Sequence, residues 1–477
     1  MTESTRRAAR GAGWLYASRW LERLLDFGSV VLLARLLSPD DFGLVAIAAS
    51  MVAIVEGLAA FDVNKVLIQR RDDDRALFDS AWTLSTLRGL VAAAIMVAVS
   101  PFLEDRRIGE VLMALALSPI LTGLMNPRFV TFERDLVFSR PALLGLVSKL
   151  GAVAATVAIA LLTRSYWALV VGTLAASCLT LVLSYSLRPY LPRPSLARFR
   201  DIFGFSGWLS LTTAVTTVSM ETDKLIVGKL LGVGDAGRYF MTQRVGVLPT
   251  RELISPLQRL LFPSFSELVP DPKRLRRVAR ESINVLGSLS LPAGIGFALV
   301  AADFVPLALG SQWLAIVPLL TILVPYLGVR ATLSMALPCM LALGRTGTLF
   351  WVSSVYALVH IPTFVAGTYF FALPGAIGSL VVAGVLYISL NAWMLRTAVG
   401  ITLGDIFRQL RRPLAASLLM ACGVSVLPAL ETAGPLARMA LDVVVGGASF
   451  AAALLALWRL EGRPAGIERR ALQLFSA

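Results

Sequence analysis

Charge is scarce in this sequence. Asp, Glu, Lys and Arg make up 16% of its 477 residues, against 57% hydrophobic residues and a mean hydropathy of +0.75. A soluble globular chain carries about one quarter charged residues, so the soluble class is excluded. Histidine occurs once, at His360, and cysteine three times, at Cys178, Cys339 and Cys422. The cysteines sit in separate apolar segments without metal-ligand spacing, so neither a metal centre nor a disulfide framework is indicated. No phosphate-binding loop of the Gly-Lys-Ser/Thr type is present, which argues against ATP bound to this chain as an energy source. No segment between apolar runs is long enough for a soluble catalytic domain, and no acidic or histidine cluster suggests one. No cofactor or metal is expected. Lysine is rare even among the basic residues, five of 44, as a GC-rich genome would give.

What the chain has is apolar runs of bilayer length. We expect an all-α polytopic membrane protein with about fourteen spans: 12–36, 42–68, 78–100, 108–127, 140–162, 166–187, 204–230, 236–262, 281–301, 312–343, 347–371, 374–396, 411–430 and 436–458. The N-terminal MTESTRRAARGAG does not read as a cleaved signal, because the apolar stretch after it is too long and too charged. With the N-terminus cytoplasmic, 27 Lys and Arg fall in cytoplasmic segments and four, Arg106, Arg107, Arg164 and Arg438, on the other side. That positive-inside bias accounts for the net charge of +14 without nucleic acid as a partner, and it puts both termini in the cytoplasm.

The stretch from Gly13 to Gly43 recurs 194 residues later. Gly13-Trp14-Leu15 falls on Gly207-Trp208-Leu209, Leu36-Leu37 on Leu230-Leu231, Asp41 on Asp235 and Gly43 on Gly237, seven identities in 31 positions. Six spans separate the copies, so both enter the membrane in the same direction, as in a parallel repeat about an axis along the membrane normal. The expected organisation is two six-helix bundles, 1–190 and 204–398, around a central cavity. A basic linker, 191–203, joins them, and an appended pair of spans with a cytoplasmic tail follows at 399–477. The proline- and arginine-rich stretch 188–201 around that linker reads as a solvated connector. The stretch 263–280 reads as a short amphipathic cytoplasmic helix able to rest on anionic headgroups.

The remaining charges lie within the spans, where each would cost about 2.5–3.5 kcal/mol facing lipid. Arg19, Glu22, Arg23 and Asp26 form one helical stripe. Glu56, Asp62 and Lys65 lie on the second span, Arg88 on the third and Lys149 on the fifth. Asp223 and Lys224 lie beside Glu221 on the seventh, Arg244, Arg251, Glu252 and Arg259 on the eighth, and Arg330 on the tenth. Two readings stand for each: internal pairing, which helical spacing allows for Arg19–Glu22, Arg23–Asp26 and Glu221–Lys224, or a lining of cations for an anionic cargo. Arg88, Lys149, Arg244 and Arg330 have no acidic partner nearby on their own helices. A diphosphate suits arginine, whose planar fork donates two parallel hydrogen bonds. The candidate cavity set is therefore Arg19, Glu22, Arg23, Asp26, Arg88, Lys149, Asp223, Lys224, Arg244, Arg251 and Arg330. Pro249, Pro256 and Pro263, with Pro318, Pro325 and Pro338, predict bent helices in spans eight and ten. His360 reads as a packed histidine rather than a proton relay.

The run ARLLSPDDFGLVAIAASMVAIVEGLAAFDVNKVLIQR resembles the start of Wzx-type oligosaccharide flippases of the multidrug/oligosaccharidyl-lipid/polysaccharide superfamily. NPRFVTFERDLVFSR (126–140), DKLIVGKLLGVGDAGRYFMTQRV (223–245) and LISPLQRLLFPSFSEL (253–268) are similar to that family too. The resemblance implies alternating access that moves lipid-diphosphate-linked oligosaccharide across a bacterial inner membrane, for exopolysaccharide, capsule or lipopolysaccharide assembly. It implies a cavity lined by the first, second, seventh and eighth helices. Its expected partners are that cargo, membrane lipids and a polysaccharide polymerase or export machinery. Alternatives are a flippase for the peptidoglycan precursor lipid II, a cation-coupled multidrug exporter, whose cargo unpaired arginines would repel, a membrane glycosyltransferase or polymerase, and a scaffold.

Overall fold

Helix breakers and caps set the element boundaries. A computed structural model describes the backbone of residues 3–59, 67, 74–135, 137, 139–199, 207–426 and 434–462; side chains before Ser18, at Glu133 and at 207–209 are outside it, as are Asp62 and Lys65. The described residues are helical without strands. Two compact units emerge, Met1–Gly237 and Arg238–Ala477.

In the first unit, α1 (Glu3–Leu36) ends at Ser38, which starts α2 (Pro39–Leu58). The Ser38 hydroxyl accepts from the Asp41 N–H at 3.3 Å, the Asp41 carboxylate accepts from the Ser38 N–H at 2.9 Å, and Pro39 takes the first helical position. This reciprocal cap satisfies donors that would otherwise be orphaned in or near the bilayer. Asp74 caps α3 (Arg75–Val99), and Asp105 caps α4 (Arg106–Leu115), followed by α5 (Leu117–Gly123). The expected fourth span is thus two short helices, parted near Ala116. After the one-turn α6 (Thr131–Arg134) come α7 (Ser139–Thr163), α8 (Trp167–Leu187) and α9 (Gly207–Leu231). Gly232, at φ 94°, makes the left-handed turn into α10 (Val233–Gly246), which carries the chain into the second unit. Helix α1 packs on α7, and α2 packs on α9.

One contact ties the repeated stretches together. A methyl group on Gly43 would run into the Val233 carbonyl oxygen, and one on Gly237 would run into the Pro39 carbonyl oxygen. Gly43 and Gly237 are 194 residues apart, and so are Pro39 and Val233. The contact is therefore reciprocal under the sequence shift. Only glycine permits two helix backbones this close.

The second unit continues with α11 (Leu248–Leu268), α12 (Pro272–Ala308), α13 (Val317–Thr332), α14 (Ala336–Ala342), α15 (Thr346–Val399), α16 (Leu403–Val426) and α17 (Pro435–Leu460). Where a separate amphipathic helix was expected at 263–280, the structure divides the stretch. Its start ends α11, and the rest opens α12, capped by Asp271 and started by Pro272. Nothing after Pro272 breaks the helix before the apolar run, so the basic turn and the apolar helix are continuous. The eighth span is interrupted at Val247 and the tenth between Thr332 and Ala336. Helix α15, at 54 residues, would run about 80 Å if straight. Its backbone leaves helical geometry at Phe371 and Ala372, the latter at φ 51°. Gly367 and Gly375 then touch, so α15 is a hairpin of two antiparallel arms.

Eight helical stretches among the described residues are long and apolar enough to cross a membrane: 39–58, 75–102, 139–163, 167–187, 272–308, 311–342, 346–399 and 435–460. The chain is a multi-pass membrane protein. Helices α1 and α9, which carry the repeated stretch, are long enough but too polar to join them.

Candidate functional site

The polar stripe of α1 meets α7. Asp26 forms an ion pair with Lys149, and one turn back Glu22 lies over Gly145, where a Cβ would come within 2.6 Å of its Oε1. Gly145 and Lys149 share the α7 face one turn apart, as Glu22 and Asp26 share the α1 face. Glycine at 145 thus makes room for the first carboxylate, and lysine at 149 neutralises the second. Both partners stay partly exposed, Lys149 at 32% and Asp26 at 45%. Arg23 lies 5.7 Å from the Trp20 ring centroid, and Arg19 is partly exposed beside it.

Lys149 was expected to lack a local acidic partner, and its partner indeed comes from another helix. Arg88 of α3 lies within electrostatic reach of Glu56 of α2. On α9 the Glu221–Lys224 pair expected from spacing forms at 2.6 Å, while Asp223, on the other side of that helix, is buried at 4% exposure. Lys229, the repeat counterpart of Arg35, pairs with Glu104. In the second unit Arg244 and Arg251 are exposed, Arg244 with its guanidinium 5.9 Å from the Phe240 ring. The candidate residues therefore do not gather into one cluster within either unit. The first unit holds the cross-helix pair Asp26–Lys149, the same-helix pair Glu221–Lys224 and Arg23 against Trp20, and the second holds Arg244 and Arg330 against aromatic rings.

Arg330 is the most developed of the latter. It lies over the Tyr387 ring at 4.5 Å, with Tyr326 one turn before it on α13 and Tyr356 and Tyr387 on the two arms of α15. Tyr356 packs edge-on to Tyr387 at 5.6 Å and stacks on His360 at 5.2 Å, and His360 contacts Phe364. His360 is buried at 2% exposure within this aromatic row. Two glycine contacts hold the frame. Gly294 of α12 crosses Gly328 of α13 backbone to backbone, and Gly384 of α15 leaves the space that the Tyr326 ring fills.

Sequence reasoning missed a third arrangement. The linker after α8 does not float. The Tyr190 hydroxyl donates to Asp79 Oδ1 at 2.6 Å, and the N–H of Arg193 donates to the same oxygen at 3.0 Å. The N–H of Ser195 donates to Thr83 Oγ1 at 2.9 Å, the N–H of Arg198 to Ser80 Oγ at 3.1 Å, and the Arg198 side chain pairs with Asp74 at 2.9 Å. Arg75 donates to the Leu191 carbonyl, and Arg128 lies 4.9 Å from the Tyr190 ring and 5.4 Å from Phe78. The first turns of α3 thus accept a strap, residues 190–198, in place of solvent. Burial, and then the bond to Asp79, push the Tyr190 phenol above its ordinary pKa, so it stays a donor.

A family model described as "Polysaccharide biosynthesis protein" matches residues 32–318. The chain belongs to that polysaccharide biosynthesis family. Two relatives span most of it. It is 26% identical to the lipopolysaccharide biosynthesis protein WzxC of Escherichia coli (strain K12), over 84% of this chain and 82% of that protein. It is 27% identical to the succinoglycan biosynthesis transport protein ExoT of Rhizobium meliloti (strain 1021), over 89% and 87%. Among solved structures, the lipid II flippase MurJ in an inward closed conformation superimposes with a TM-score of 0.76 at 14% identity, covering 93% of this chain and 98% of MurJ. An inward-facing multidrug resistance MATE family transporter gives 0.58 at 12% identity, covering 79% and 94%. This family member therefore has the fold of MurJ and MATE transporters. ExoT, MurJ and the MATE protein are named as transport or flippase proteins.

Proposed function

We propose that the chain flips lipid-diphosphate-linked oligosaccharide from the cytoplasmic to the periplasmic leaflet of a bacterial inner membrane by alternating access. Family membership over residues 32–318, with near full-length likeness to a polysaccharide transport protein, carries this reading. The proposed topology is fourteen spans in two parallel six-helix bundles with both termini cytoplasmic, then an appended pair. The reciprocal Gly43–Gly237 contact supports the repeat. The polarity of α1 and α9 supports a cavity-lining place for them, since charged helices in a membrane must face protein or water. In this reading the diphosphate meets the arginines and lysines of the candidate set, and the prenyl tail stays in lipid.

The test is deletion of the gene, followed by mass spectrometry of undecaprenyl-diphosphate-linked oligosaccharide with its leaflet probed by an impermeant lectin. A complete repeat unit trapped on the cytoplasmic side is expected. A truncated unit, or no accumulation, rejects the proposal. The MurJ-like fold favours one second reading, lipid II flipping. Rescue of a strain depleted of its lipid II flippase would select it.

A further inference from the structure

The first turns of α16 stand outside the hydrocarbon and yet present apolar side chains. Glu461 directly follows the membrane-crossing stretch 435–460, and Arg411 pairs with it at 3.0 Å. That pair sets Arg411 at the edge of the hydrocarbon. Phe407 stands one turn before Arg411 and Leu403 two turns before, about 5 and 11 Å along the helix. All three share one face of it. A headgroup layer of roughly 5–8 Å on each side of the bilayer takes in Phe407, and Leu403 reaches its rim. Neither is covered by protein: Phe407 is 67% exposed and Leu403 68%. Leu460, next to Glu461, is exposed as well.

The opposite side of this helix start is fixed to α12. Asp405 accepts from Arg280 at 2.7 Å and from Arg276 at 3.3 Å, and Ile406 is buried. The apolar face is therefore held outward. Five arginines, Arg276, Arg280, Arg408, Arg411 and Arg412, share two carboxylates, Asp405 and Glu461. Arg408 is exposed and pairs with no carboxylate among the described residues. Apolar groups beside unneutralised arginines at this depth match a membrane surface of negative charge. Ring and alkyl groups enter the acyl boundary there, and guanidiniums hold phosphates. An acidic soluble protein would suit the arginines, but it would have to enter the headgroup layer to cover Phe407. The strap of the first unit carries the same combination, with Leu191 and Leu196 exposed on either side of an exposed Arg193. We propose that the start of α16 is a binding surface for anionic phospholipid headgroups, with Phe407 and Leu403 as anchors and Arg408 and Arg411 on the phosphate. The proposal holds whatever the cargo is.

Native mass spectrometry of the full chain in detergent tests it, with dioleoylphosphatidylglycerol and dioleoylphosphatidylcholine offered in equal amounts. The phosphatidylglycerol adduct should dominate. The double variant Arg408→Gln with Arg411→Gln should weaken that adduct about fivefold or more, the scale for one basic residue at an anionic surface, and leave the phosphatidylcholine adduct unchanged. Phe407→Gln should weaken both adducts, and it serves if the double variant does not fold. Arg106→Gln, at an exposed arginine of the first unit, should change neither. Inorganic phosphate at the same concentration should not displace phosphatidylglycerol, because it has no acyl chain to set against Phe407. An unchanged phosphatidylglycerol adduct in the double variant, or its displacement by phosphate, overturns the surface. Equal adducts of the two lipids also overturn it and leave the arginines to an acidic protein.

Discussion

The linker strap and the Arg330 surround treat buried polarity in opposite ways. At the strap, donors find acceptors: one carboxylate, Asp79, takes a phenol and a backbone N–H, and Thr83 and Ser80 take two more. At Arg330 a cation deep in a span meets rings and no carboxylate among the described residues. Satisfied networks hold a shape, because removing one member strands the rest. A charge left uncompensated in a membrane is costly and persists where a ligand uses it. The proposed division is of stability at the strap and binding at Arg330, and substitutions can test it.

The largest stability effect is expected at the strap. Asp79→Ala removes the acceptor for Tyr190 and Arg193 and the partner of Arg75 at 3.7 Å. A hydrogen bond to a charged group is worth about 1.5–3 kcal/mol, so the melting temperature in detergent should fall by several degrees. Asp79→Asn should lose less. An unchanged melting curve in Asp79→Ala would show that the strap is ornamental. Arg330→Gln should behave in reverse. Its stability should stay within about 1 kcal/mol of the parent, while polysaccharide export in a complemented deletion strain falls sharply. Equal losses of stability and export would remove the contrast.

How much of this could be read from residues alone depends on the range of each contact. The membrane class was legible because it rests on local pattern, apolar runs of bilayer length. The Glu221–Lys224 pair was legible at i, i+3. The Asp26–Lys149 pair was not, because 123 residues separate its members and no periodicity links them. The strap was read as a solvated connector because its prolines and arginines look like one. The signal lay instead in α3, where Asp79, Ser80 and Thr83 interrupt an apolar helix start. Arg330 was flagged as unpartnered, and Tyr326 at i−4 was in view. Tyr356 and Tyr387 reach it only through the hairpin at Phe371-Ala372, which reads from sequence as two unrelated spans.

Asp26–Lys149 lies between the two extremes, paired yet open. Asp26→Lys and Lys149→Asp should each reduce export, and the double swap should restore part of it. The coupling should fall near the low end of the roughly 0.5–3 kcal/mol seen for contacting residues, because both side chains are partly exposed. Additive losses would mean that the charges serve the cargo separately, as Arg330 is proposed to do.

The smallest effect is expected outside the spans, at the start of α16. Asp405 accepts from Arg280 at 2.7 Å, from Arg276 at 3.3 Å and from the Thr402 N–H at 3.0 Å. Burial raises its pKa, but the bonds from Thr402 and Arg280 outweigh that and hold the carboxyl at about 2, below its ordinary 3.8. A carboxyl with a lowered folded pKa contributes stability above its unfolded value and loses it as pH falls. The melting temperature should therefore be flat above about pH 5 and fall between about pH 4 and 2. Asp405→Asn should remove most of this group's share of that slope and cost little export at neutral pH. Its arginine partners are 32–40% exposed, so solvent screening keeps the effect below that of Asp79. An acid slope that is unchanged in Asp405→Asn would move the titration to another carboxylate.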